Sequence, residues 1–279
     1  PQVRAETFSQ LCQYLSMKRV RVIPVLLIQK GGLVKSVRFK DQKYVGDPIN
    51  AVKIFNEKEV DEIVLLDISA TAEKRPPNIR QIKEIAGEAF MPLGYGGGIT
   101  RLEEIRELIA AGVEKVILNT SAFRNIGLVE EGARYAGSQS IVVSIDVRKN
   151  LWGKYKVYVQ NATVNTGLDP VEYAIRVERA GAGEILLNAV DRDGTFSGYD
   201  TDLIGLVSSK VNIPVVAIGG AATVDDFARA VASGASAVSA GSMFVFQGPH
   251  RAVLISYPGQ RELKEKFFNQ LVQVTNDSK

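Results

Sequence analysis

Short unbroken runs of Val, Ile and Leu recur along this chain, and between them apolar residues return every three to four positions. Runs of the first kind suit strands buried on both faces of a parallel sheet, and stretches of the second kind suit helices that cover it. The pattern predicts strands over 21–28, 62–67, 92–95, 115–119, 141–146, 184–188, 214–218 and 236–240. It predicts helices over 48–59, 76–88, 101–111, 125–136, 169–180, 200–210, 224–233 and 260–272. Eight strands, each followed by a helix, imply a closed (β/α)8 TIM barrel. Two inserts interrupt the rhythm. Residues 29–46 form a long connection after the first strand. Trp152 to Thr163 alternates like a hairpin, with Lys154, Lys156 and Tyr158 opposed to Tyr155, Val157 and Val159. No linker divides the chain, so residues 17–279 are expected to form a single barrel domain. Residues 1–16 precede the first legible strand and read as an N-terminal extension or an expression remnant.

The chain also says nearly everything twice. Glu62-Ile63-Val64-Leu65-Leu66 returns 122 positions later as Glu184-Ile185-Leu186-Leu187-Asn188. Met91-Pro92 with Gly97-Gly98 returns as Ile213-Pro214 with Gly219-Gly220, and Gly112-Val113 as Gly234-Ala235, at the same interval. The opening strands align at an interval of 119, which sets Leu27 opposite Asp146. A repeat of this length is too long for a solenoid unit and suits half of an eight-stranded barrel. One half ends its first strand in an acid, the other in leucine.

Composition removes several functions. A hydrophobic content of 46% can fill a large core, and a net charge of +3 without a basic block argues against nucleic-acid binding. A single cysteine, Cys12, excludes an internal disulfide framework and fits a reducing cytosol. No apolar run approaches the ~18 residues of a membrane span, and no signal peptide is visible. The single histidine, His250, excludes histidine triads and multi-histidine metal sites, so no metal or cofactor is expected. Acid–base chemistry would fall to carboxylates, lysines or tyrosines.

In such barrels active sites are built where strands end. Tyr95-Gly96-Gly97-Gly98 closes the third strand and Ile218-Gly219-Gly220 the seventh. Asn119-Thr120-Ser121 follows the fourth, and Ala240-Gly241-Ser242 the eighth. Each half thus offers a Gly-Gly turn and a hydroxyl-bearing turn whose backbone N–H groups can hold a phosphate, since no Cβ blocks the approach. Gly194 and Thr195, within Asp191-Arg192-Asp193-Gly194-Thr195, would complete the second site, and the acids Asp191 and Asp193 could bind sugar hydroxyls or cap a helix. Two sites across one mouth suggest a long ligand with a phosphate at each end. Asp146 ends the fifth strand among apolar neighbours, where a carboxyl's pKa rises and it can act as general acid or base. Asp67 ends the second strand in the same layer, and Lys35 stands on the long first loop.

At these residues the chain resembles the cyclase subunit of imidazole glycerol phosphate synthase (HisF), the ammonia-using barrel of histidine biosynthesis. The resemblance runs from about residue 18 to 270 and rests on Asp191-Arg192-Asp193-Gly194-Thr195 followed by Ser197-Gly198-Tyr199-Asp200, on Gly96-Gly97-Gly98-Ile99 and on Gly181-Ala182-Gly183-Glu184-Ile185-Leu186-Leu187. It implies phosphate contacts at Gly97, Asn119, Thr120, Gly194, Gly220, Gly241 and Ser242. It implies a catalytic pair of acids on strands one and five. Asp146 supplies the second member, whereas Leu27 replaces the first, so ordinary cyclisation should be badly impaired. Gln29 and Lys30 also depart from the family pattern.

The resemblance further implies an ammonia gate at the opposite end of the barrel, formed by Arg21, Glu62, Lys115 and Glu184, with a glutaminase subunit docked there. A lost strand-one acid beside retained phosphate and gate positions is similar to a second branch of the family, which acts with a glutaminase and a separate amidotransferase on acetamidino sugars of bacterial surface polysaccharides. The runs Gly31-Gly32-Leu33-Val34-Lys35, Val45-Gly46-Asp47-Pro48-Ile49-Asn50 and Phe244-Val245-Phe246-Gln247-Gly248-Pro249-His250-Arg251 look like that branch. Three roles are therefore in play: nitrogen transfer to a phosphorylated or nucleotide-sugar ligand, histidine-pathway cyclisation, and a non-catalytic conduit for ammonia.

Overall fold

The eight apolar runs close into a barrel of parallel strands in the computed structural model, which describes residues 20–248 and 250–271. The barrel strands are β1 (Arg21–Gln29), β2 (Ile63–Asp67), β3 (Leu93–Gly96), β4 (Lys115–Leu118), β5 (Ile141–Lys149), β6 (Glu184–Ala189), β7 (Val215–Ile218) and β8 (Ala237–Ala240). Each pairs in parallel with the next, and β8 pairs with β1, so no barrel edge is left open. Helices follow the strands on the outside. Asp47 caps the first, its carboxylate accepting from the Asn50 N–H at 3.0 Å, with Pro48 as first helical residue. Asp169 and Pro170 repeat that start in the second half.

Strand alternation sorts the core into two layers. Ile23, Val25, Val64, Leu66, Ile117, Val142, Leu186, Val216 and Ile218 fill the barrel interior. Their neighbours Val22, Leu26, Ile63, Leu65, Val143 and Leu187 pack outward under the helices. The register preserves the repeat: Leu27 pairs with Leu66 across β1 and β2, and Asp146 pairs with Asn188 across β5 and β6.

Both inserts are hairpins at the same end of the barrel. The connection after β1, expected only as a long insert, forms strands Gly32–Val37 and Lys40–Gly46, joined to β1 through Lys30 and Gly31. Both joining residues have positive φ (49° and 82°), which a two-residue hairpin turn demands. In the second half, β5 itself runs on to Lys149 and pairs with Tyr155–Val159. Trp152 therefore lies in the turn, 86% exposed beside a fully exposed Leu151. The last expected helix is α-helical over Gln260–Leu263 and π-helical over Lys264–Phe268. Residues 1–16, Cys12 included, and the expected helix end at 272 lie outside the described residues. Among the described residues, no helix is long and apolar enough to cross a membrane, and no acidic, His or Cys cluster could hold a metal.

Candidate functional site

A cavity of about 640 Å³ opens at the ends of the strands, beneath both hairpins. Its floor is the last interior layer, where Leu27 and Leu66 face Asp146 and Asn188 around the barrel axis. Asp146 is 6% exposed. Its Oδ2 accepts from Asn119 Nδ2 at 3.1 Å and its Oδ1 from Asn188 Nδ2 at 3.3 Å. Burial pushes the carboxyl up to about 7, against the pull of those two hydrogen bonds. Asn188 Oδ1 is buried and has no partner among the described residues, so the floor holds an unmet acceptor.

Lys35 reaches the same floor from the first hairpin. It is 5% exposed, and its Nζ donates to the Val25 carbonyl at 2.6 Å. A Cβ on Gly241 would fall 2.0 Å from that nitrogen, so glycine is required there for the ammonium to reach its acceptor. Burial lowers Lys35 to about 8, and the facing Asp193 resists the fall. Burial likewise raises Asp193, opposed by Lys35.

The other positions expected from sequence divide into two sets. Gly97, Asn119, Thr120, Gly241, Ser242, Asp193 and Asp67 all line the cavity. Gly194, Thr195, Gly219 and Gly220 do not. A Cβ on Gly194 would lie 2.4 Å from the Ser36 carbonyl of the first hairpin, and one on Gly220 would lie 2.2 Å from the Gly198 carbonyl. Thr195 Oγ1 donates to the Arg192 carbonyl at 2.7 Å. Asp67 is in a different layer from the one expected. It stands one residue past inward-facing Leu66, so strand alternation turns it off the axis. There its Oδ1 accepts from the Ser69 and Ala70 N–H groups, and Arg75 pairs with its Oδ2 at 2.8 Å. Asp67 thus organises the loop that carries Arg75.

Sequence reasoning missed Asn188 as a site residue, although the repeat offered a signal, since asparagine replaces the Leu66 of the first half. It also missed Lys74, Arg75, Arg101 and Arg124, four rim cations from three separate loops.

At the other end of the barrel the four charges meet. Arg21 Nη1 donates to Glu62 Oε2, and Arg21 Nη2 to Glu184 Oε2 at 2.5 Å. Lys115 Nζ donates to Glu62 at 2.8 Å and to Glu184 at 3.1 Å. Cation and anion alternate around the ring. Burial alone would lower the Arg21 pKa, but the two carboxylates outweigh it and hold the guanidinium above its ordinary value.

Comparison with known proteins agrees with this geometry. The histidine biosynthesis protein family model matches residues 21–250. The chain is 51% identical over 251 residues to "Putative imidazole glycerol phosphate synthase subunit hisF2" of Pseudomonas aeruginosa, covering 88% of this chain and 99% of that protein. It is 46% identical over 254 residues to "Putative imidazole glycerol phosphate synthase subunit HisF" of Leptospira interrogans, covering 90% and 100%. To "Imidazole glycerol phosphate synthase subunit HisF" of Alkaliphilus metalliredigens it is 45% identical over 225 residues, covering 80% and 89%. A matching family model, near-complete coverage and a closed eight-stranded barrel together place this chain in the histidine biosynthesis family, among its HisF-like synthase subunits.

Proposed function

We propose that this barrel takes ammonia from a glutaminase subunit docked at its ring end and adds the nitrogen to a phosphorylated or nucleotide-sugar ligand at its mouth, in the amidination of surface-polysaccharide sugars. The observation that carries this reading is the combination of a complete charged ring with a mouth whose strand-end floor holds one carboxylate, Asp146, opposite Leu27. Between ring and mouth the interior is lined by Ile23, Val64, Ile117, Val142, Leu186 and Val216. Such a lining excludes an ammonium ion and tolerates neutral ammonia, because an unpaired charge is costly to strip of water. At the mouth, ammonia attacking an electrophilic carbon must shed a proton, and the departing oxygen must gain one. A carboxyl titrating near 7 can serve either transfer at neutral pH. Leu27 cannot relay a proton, which argues for a reaction that needs one acid where the histidine-pathway cyclisation uses two. Relatives named hisF2 and hisF3 fit a branch beside the histidine-pathway subunit. A separate amidotransferase would complete the sugar chemistry. The relatives named as HisF without a number, at 45–46% identity, favour the cyclase as second reading.

Lys115→Met tests the ring. Arg21 still bridges both glutamates in that variant, so the barrel should stay folded, but removing one partner of a buried ion pair leaves carboxylate charge uncompensated and should lower stability by about 3 kcal/mol, the low end of the cost of breaking such a pair. The ratio of glutamine-dependent to ammonia-dependent turnover should shift severalfold. An unchanged ratio with a collapsed fold would make the ring a structural plug.

A further inference from the structure

The two hairpins above the mouth hold this chain's imbalance of charge. Residues 29–46 and 147–167 carry nine lysines and arginines against one acid, Asp41, while the rest of the chain carries 25 against 30. Lys35 is buried at the cavity floor, and the other eight cations are exposed or half-exposed. A chain of net charge +3 thus presents a cationic face at one end and is negative over the remainder. Apolar exposure follows the same map. Among the described residues, six of the nine exposed large apolar side chains belong to hairpins at this end: Tyr44, Leu151, Trp152, Val164, Val253 and Leu254. Of the other three, Phe90 precedes β3 at the ring end, and Tyr135 and Leu206 lie on outer helices. Apolar surface gathered on one face, rather than scattered singly, marks a place where something binds.

Asp191 ties the two hairpins together. Its carbonyl accepts from Arg38 Nε of the first at 3.0 Å. Its carboxylate accepts from Arg148 Nε of the second at 3.2 Å and from the Lys149 N–H at 3.0 Å. Lys43 Nζ lies 5.6 Å from the centre of the Phe246 ring, which joins the first hairpin to the short pair Phe246–Gln247 and Ala252–Val253. The three pieces therefore form one platform, and a surface ordered in advance loses less freedom when a partner settles on it. Tyr44, Leu151, Trp152 and Lys154 do not line the cavity, so the platform is a surface separate from the site beneath it.

We infer that this platform docks an acidic protein, which seats Leu151 and Trp152 in an apolar socket and sets its carboxylates against the surrounding lysines and arginines. Tryptophan, tyrosine and arginine are the residue types that anchor protein interfaces, and the cations supply steering toward an acidic face. Three other occupants fit less well. A two-fold pair of copies meeting here would set one cationic platform against another. A bilayer engages only the tips of loops, and Leu151 and Trp152 do stand in a turn. Tyr44, Val164 and Val253, however, lie in strands along the hairpins, a contour that a protein can follow and a flat lipid surface cannot. Single-stranded nucleic acid needs open aromatic faces for its bases. Arg148 and Lys149 already stand over the rings of Tyr158 and Tyr155, at 5.5 and 4.8 Å.

Trp152 is the single tryptophan of the chain, so its fluorescence reports on this face alone. The probe is a tryptophan-free amphipathic peptide of glutamate and leucine, titrated into the full chain. Emission should move to the blue and saturate, and the affinity should fall as salt is added. Poly-glutamate, which has the charge without an apolar face, and the same peptide with lysine for glutamate should leave the emission where it was. With the acidic peptide labelled instead, Trp152→Ala and Lys154→Glu should each weaken binding at least about tenfold. Both residues are exposed at the hairpin turn, so the variants should melt with the parent. No shift with the acidic peptide, an equal shift with poly-glutamate, or binding indifferent to both substitutions would overturn the docking face. A blue shift seen only with phosphatidylserine vesicles would overturn it in favour of a lipid surface, and quenching by oligouridine alone in favour of RNA. A shift that grows with protein concentration as the mass in solution doubles would overturn it in favour of a second copy.

Discussion

The two ends of this barrel bury ionisable groups under opposite rules. At the ring end, every charge has its complement. Glu62 and Glu184 each accept from both Arg21 and Lys115, and the carboxylates hold the arginine firmly protonated. At the mouth, the groups are held short of satisfaction. Asp146 receives only neutral amide donors, Lys35 hydrogen-bonds a carbonyl while its charge faces Asp193, and Asn188 keeps an acceptor unmet. Both ends are polar and both are buried, but only the mouth pushes its groups toward neutral pH. Mutual pairing gives a closed, low-reactivity end; incomplete pairing gives titratable groups in reach of a ligand.

Breaking the ring should cost the most. Glu184→Ala leaves two cations sharing Glu62 and should lower unfolding stability by about 3–5 kcal/mol, the penalty for an uncompensated buried charge. Chemical denaturation measures it, and a loss below about 1 kcal/mol would erase the contrast between the ends.

Asp146→Asn should act oppositely on stability while lowering ammonia-dependent turnover by about 100-fold or more. The folded protein holds this proton more tightly than the unfolded chain, with a pKa of about 7 against 3.8. Burial of the carboxyl is therefore free of penalty below about pH 4 and fully penalised above about pH 7. The variant should match the parent in urea unfolding near pH 4 and gain on it as pH rises, by up to about 4 kcal/mol at pH 8. A constant difference across that range would show that Asp146 does not titrate as its surroundings dictate.

Leu27→Asp sharpens the comparison with the smallest expected effect. It places a second acid in the strand-end layer opposite Asp146 and should raise cyclisation of the histidine-pathway substrate at least about tenfold, a fraction of what a positioned acid–base group supplies. High cyclase activity in the unmodified protein would favour the histidine-pathway reading and make position 27 irrelevant.

The barrel was legible in the sequence because buried parallel strands leave unbroken apolar runs and the repeat fixes their spacing. Asp146 was legible because it interrupts such a run. Asp67 was placed in the wrong layer by counting strand ends, where counting the alternation from Val64 and Leu66 turns it outward. The first hairpin stayed hidden because Lys35 and Ser36 are buried polar residues that blur its periodicity. Lys74, Arg75, Arg101 and Arg124 form no run at all; only barrel closure brings their loops together.

The ring also determines which halves belong together. Its two glutamates are repeat equivalents, one per half, but both cations come from the first half, where the second has Ser140 and Ala237 instead. A first half alone therefore presents two positive charges and one negative at its base, and a second half presents one negative. Two first halves meeting would leave an excess of cations, two second halves a pair of unrelieved carboxylates, and only the unlike pair closes neutral. Arg21 and Glu184 lie 163 residues apart, so this neutrality is reached only when the late part of the chain joins the early part. The charged base thus works as an assembly code that rewards one half for finding its unlike sibling, whatever else passes through it.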